Sequence, residues 1–231
     1  MPLHVTDYGD AFTDLARQYR VPDYVGHTTT ILFLLESPHR QELRFGAPVC
    51  GPSGLSMSHH LLGRREGTAP LGQLVLQSAN AFDDIPRKRH RSQSQDAIAK
   101  VGLMNVCEIP MQASAYPEAV ARRYAVFLTV LEKLRTTRKK APYTDPAWQT
   151  VHSQLVTRLQ ERLLLLYDKS LVIVPCGHVA QAYLSHTAIA CPNWTVIEGV
   201  PHPSFNNWSK AAYQDVISLL ASSFREAVLD Q

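Results

Sequence analysis

The sequence predicts an α/β fold: a three-layer α/β/α sandwich in which helices cover both faces of a mostly parallel, four-stranded sheet. Short apolar runs alternate with segments of helical period, the signature of strand and helix in turn. The runs are apolar at every position rather than at alternate ones, as in strands buried on both faces. The chain has 231 residues, 45% of them apolar and 19% charged, which suits one large globular domain.

The strand candidates are "TILFLLE" (30–36), "VGLMNVC" (101–107), "LVIVPC" (171–176) and "TVIEG" (195–199). The first predicted helix, 7–20, leads into the first strand, and a second is expected over "SMSHHLLGRR" (56–65). A third, 117–135, carries Pro117 near its start, where the missing N–H is harmless. Over 145–167, Val151, Leu155, Leu159 and Leu163 recur at four-residue spacing and form a core-facing stripe. Helices over 177–186 and 209–228 complete the set. No repeat or linker interrupts the pattern, so residues 1–231 read as one domain. Segment 83–96, rich in charge, Ser and Gln, is expected to be a mobile, basic insertion.

The formal charge of +3 permits a nucleic-acid partner without requiring one. Cations concentrate in "PRKRHR" (86–91) and "RTTRKK" (135–140), which are expected in two loops; such runs are usually solvated surface. Cys50, Cys107, Cys176 and Cys191 have no metal-site spacing, and the N-terminal segment has no signal-peptide pattern. Reduced thiols in a cytoplasmic protein follow as the expectation. The longest apolar runs, "ILFLL" and "LLLLY", are too short to span a bilayer.

Ligands of such sheets bind beyond the carboxyl ends of the strands. Three polar segments should converge there: "ESPH" after the first strand, "NVCEIP" at the end of the second and "VPHPS" after the fourth. In "EGVPHPSFNNW" (198–208), two prolines stiffen the backbone around His202. Taken alone, that segment reads as a surface turn before it reads as a histidine held against a ligand. Glu36 could equally cap a turn, and Asn105 could satisfy buried backbone groups. His59 and His60 point to different sides of a helix and make a poor metal pair.

Four motifs in order resemble those of the uracil-DNA glycosylase superfamily: "LLESPH" (34–39) with "GAPVCGPSG" (46–54), then "NVCEIP" (105–110), "LVIVPCGHVAQAYL" (171–184) and "HPS" (202–204). The resemblance spans about 170 residues and implies a monofunctional enzyme that hydrolyses the N-glycosidic bond of a base flipped out of DNA. It implies Glu36 and His202 as catalytic groups. The base would be bound by Ser37, Pro38, His39, Val49 and Asn105. The DNA would be contacted by Arg40, Ser53, Pro203, Ser204, Phe205 and Asn206, and by Arg87, Lys88 and Arg89 of the basic loop. Val49 stands where uracil-specific members place a stacking aromatic, and Ser37 where others carry Asp or Asn. The cysteines of cluster-binding branches are absent. A cluster-free, metal-free monomer follows, acting on a modified or damaged base, such as a bulky hypermodified pyrimidine of viral DNA, with an antiviral role. Conventional uracil removal in repair and a DNA-binding module without chemistry are the alternatives.

Overall fold

Four apolar runs pair in register to form the sheet of the computed structural model, which describes residues 8–83, 93–137 and 141–228. The strands are β1 (Ile31–Leu35), β2 (Val101–Asn105), β3 (Leu171–Pro175) and β4 (Trp194–Val196), in the order β2-β1-β3-β4. Every pairing among these four is parallel, so each connection must cross over the sheet, and the helices do so.

Side chains of β1 alternate between two apolar layers. Leu32 and Leu34 join the layer built by α1 (Tyr8–Tyr19), α7 (Ala125–Thr136), α8 (Pro146–Leu164) and α9 (Gly177–His186). Ile31, Phe33 and Leu35 face the opposite layer, built by α3 (Pro52–Leu62), α4 (Leu71–Asp83), α5 (Gln93–Ala99) and α10 (Gln214–Val228). The three-layer sandwich is thus present, and both sheet faces are covered. Among the described residues no helix is long and apolar enough to cross a membrane. Cys50, Cys107 and Cys176 are buried and form no disulfide, and burial pushes Cys50 and Cys107 up to about 12.

Several boundaries differ from the expectation, each for a local reason. The helix expected over 117–135 is two helices, α6 (Glu118–Arg123) and α7, because Tyr124 leaves helical geometry at φ −105°, ψ 20°. The second helix begins at Pro52 instead of 56, with Pro at its first position and Gly51 extended before it. Short 3₁₀ turns, Ser204–Ser209 and Ala211–Tyr213, occupy the start of the segment expected as helix 209–228. Arg135 lies in the last turn of α7 and not in a loop. Within 83–96, Asp83 ends α4 and residues 93–96 begin α5, while 84–92 lie outside the described residues.

Candidate active site

The strand ends bring Glu36, Asn105 and His202 to the same edge of the sheet. Leu35 pairs with Asn105 in the β1–β2 register, and the Cys107 amide donates to the Glu36 carbonyl at 3.1 Å. Glu36 therefore leaves β1 beside Asn105 as it leaves β2. The Asn105 side chain is 1% exposed, yet neither its amide nitrogen nor its oxygen has a partner. Leaving such groups unpaired costs about 1–3 kcal/mol each. Its backbone, by contrast, is clamped. Arg162 Nη1 donates to the Asn105 carbonyl and Nη2 to that of Val106, both at 2.8 Å. Arg162 is itself paired with Asp23 at 2.9 Å, and Arg20 with Glu108 at 2.6 Å. An ionic cluster, buried except at Arg20, thus fixes the Asn105 peptide while its side chain is left unsatisfied. Asn105 is not satisfying buried backbone groups.

His202 stands in the fourth segment. The Trp208 indole N–H donates to the Pro201 carbonyl at 2.9 Å, and the Asn207 amide donates to the His202 carbonyl at 3.0 Å. These bonds tie the loop back on itself around the histidine. The Ser204 N–H donates to His202 Nδ1 at 3.2 Å, which makes Nδ1 the acceptor and puts the ring proton on Nε2. Burial first, then the charges of His178 and Arg135, push His202 down to about 4, so it is neutral near pH 7. Gly177, at the start of α9, makes room for it. A Cβ there would lie 2.8 Å from His202 Cβ, and φ of +87° already favours glycine.

Arg135 links the two bets on chemistry. Its Nη1 lies 3.3 Å from Glu36 Oε1. Burial raises Glu36 above the ordinary carboxylate value, and the Arg135 charge pulls it back. The same charge adds to the lowering of His202 and of His39, which burial causes first in both and Arg40 next in His39. Sequence reasoning missed this residue because "RTTRKK" reads as a solvated run. A basic residue in the last turn of the predicted helix 117–135 was the available signal.

Glu42 was missed as well. It lies in α2 (Arg40–Phe45), and its carboxylate accepts the His39 N–H at 2.6 Å and the Val49 N–H at 2.7 Å. Burial pushes it up to about 7, and the Glu36 charge adds to the rise. Glu42 stands three residues beyond His39, a capping-box position that sequence could have flagged. It holds Val49 in an unusual state: a β-branched residue at φ +48°. The Val49 side chain is buried in the apolar layer with Met57 and Leu71, and the Val49 carbonyl fills the space where a Cβ of Gly54 would stand.

The other predicted residues divide. Pro38 is buried beside Glu36, with Ser37 half-buried and His39 exposed. Ser53 and Ser204 meet, Oγ to Oγ, at 3.0 Å. Pro203 is buried, while Phe205 is 90% exposed, and both Phe205 (φ 56°) and Asn206 (φ 53°) are left-handed. Arg40 is engaged by the Ser114 carbonyl, from Nη2 at 2.6 Å and Nε at 3.0 Å. Arg87, Lys88 and Arg89 lie outside the described residues. No group of three or more His, Cys, Asp or Glu is placed to hold a metal among the described residues. Comparison with protein-family models and with curated proteins gives no match.

Proposed function

We propose that this protein is a monofunctional DNA glycosylase that hydrolyses the N-glycosidic bond of a flipped, modified base. The observation that carries the reading is the Asn105 amide: buried, unpartnered on both polar atoms, rigidly backed, and beside Glu36 at the strand ends. An amide that both donates and accepts matches the Watson–Crick edge of a pyrimidine. A base bound there would supply the partners that the protein does not.

The remaining groups suit the two charges that bond cleavage creates. The C–N bond breaks with its electron pair leaving on the base, and water adds to the sugar carbon. Glu36, whose rise by burial is opposed by the Arg135 charge, stabilises the developing sugar cation as its carboxylate and orients that water. Neutral His202 presents Nε2–H as a donor to the oxygen of the departing base. Phe205, apolar and fully projecting, serves as the wedge that fills the gap left by the flipped nucleotide. A bulky hypermodified pyrimidine is the favoured substrate on the sequence resemblance alone, in which Val49 replaces a stacking aromatic; its side chain packs in the apolar layer with Met57 and Leu71.

The test is abasic-site formation on duplexes carrying uracil, damaged bases or hypermodified pyrimidines. Cleavage of a bulky base over uracil is the expected result. Preference for uracil assigns conventional repair, and tight binding with no cleavage of any base assigns a DNA-binding module.

A further inference from the structure

The sequence drew attention to His59 and His60, and the chemistry above uses neither. Both line a cleft of about 320 Å³ between α3 and the loop that carries Phe205, together with Ser56, Arg64, Asn206 and Ser209. Among the described residues no carboxylate lines it. His60 is oriented within it: Nδ1 donates to the Ser56 carbonyl at 2.8 Å, Nε2 faces the Ser209 hydroxyl at 3.4 Å, and the ring stands edge-on to Trp208. The Ser56 hydroxyl has no partner, and neither His59 nor Arg64 has an ion-pair partner among the described residues.

The cleft adjoins the loop that carries His202. Asn206, one of its walls, follows Phe205 directly, and the Ser53–Ser204 contact pins α3 to the loop of His202. From Ser53 to His60 the helix advances about 10 Å, at 1.5 Å per residue. B-form DNA carries a phosphate every 3.4 Å of axis along one strand, so that length corresponds to roughly three nucleotides.

We infer that the cleft lined by His59, His60 and Arg64 binds the phosphodiester backbone flanking the flipped nucleotide. The inference rests on the DNA reading above. Arg64 offers a fork of donors that matches two phosphate oxygens, and the His59 ring, the Asn206 amide and the Ser56 hydroxyl supply further donors, while His60 is held in place by its bond to the Ser56 carbonyl. Such contacts fix the register of the strand and carry no sequence information. The cleft would thereby hold the duplex while Phe205 enters the stack.

Two measurements test it. In the first, the imidazole resonances of His59 and His60 are followed by NMR while a single-stranded tetrathymidylate is added to the full chain. Saturable shifts that Arg64→Ala abolishes are expected. Silent resonances, shifts that survive Arg64→Ala, or inorganic phosphate binding as tightly as the tetranucleotide would each overturn the proposal. In the second, duplex affinity is measured against salt. Arg64→Ala should weaken binding equally on all sequences and reduce the salt slope by about one, with Arg64→Lys restoring most of it. An unchanged slope rejects the site. Glycosylase failure is separable: responsive histidines with no cleavage of any base leave the phosphate site standing and remove the enzyme.

Discussion

His152 and His202 are both pushed down to about 4 with burial as the main cause, yet they occupy different chemical settings. His152, on α8, packs among Tyr143, Tyr183 and His186, with its Nε2 3.0 Å from His186 Nδ1. Tyr183 belongs to the apolar layer on one sheet face and Tyr143 packs against it, and no contact joins His152 to Glu36 or Asn105 among the described residues. His202 has a fixed tautomer, a charged neighbour in Arg135 and an unsatisfied amide on the same edge of the sheet. The lesson is that a perturbed imidazole alone does not mark a site. It does so where groups with unmet polar capacity converge on it.

The sharpest break between the two is catalytic. His202→Ala should lower single-turnover base release by roughly 10²–10³, the usual loss for one donor to a developing anion. His152→Gln should leave that rate unchanged. Equal losses in both folded variants would make His202 scaffold.

Stability against pH should treat the two histidines alike. Each has a folded value of about 4 against an ordinary 6.5, so the unfolded chain takes up the proton first as pH falls. Stability is therefore lost between pH 6.5 and 4, by at most about 3 kcal/mol per histidine. Glu42, raised to about 7, works in the opposite direction, gaining stability as pH falls from 7 to 4.5. Denaturant unfolding of His152→Gln and His202→Gln should show a shallower acid loss than the parent in both. A slope that only one variant changes would break the parallel.

The smallest effect separates charge from burial. Burial raises Glu36 and Arg135 opposes that rise, so Arg135→Gln should move the acid limb of the rate profile to higher pH. The rate at pH 7 should fall by roughly tenfold or less. A limb that stays in place would show that Arg135 does not tune Glu36.

How much of this was legible in the sequence depended on whether a residue acts through its own segment. β1 and β3 are continuous apolar runs, and Glu36 and Asn105 sit at or next to the strand ends, so fold and location could be read together. α2 has six residues, too few for a periodic signal, and with it Glu42 was hidden. α4 and α5 were overlooked because the charged stretch between them dominated the composition of the region. Arg135 was invisible for a different reason: its partner Glu36 lies 99 positions away, and only tertiary structure joins them. The strain at Val49 has no sequence signature, since valine is among the residues least suited to positive φ.

Gly177 opens α9 against His202, and so places the imidazole at the amino end of a ten-residue helix. The aligned peptide dipoles of a helix leave about half a positive charge at that end. This field opposes protonation of the ring independently of burial, of His178 and of Arg135. Neutrality of His202 is therefore redundant: removing any one of these influences leaves three others acting in the same direction. A loop built this way keeps a hydrogen-bond donor of constant character while the charges around it change.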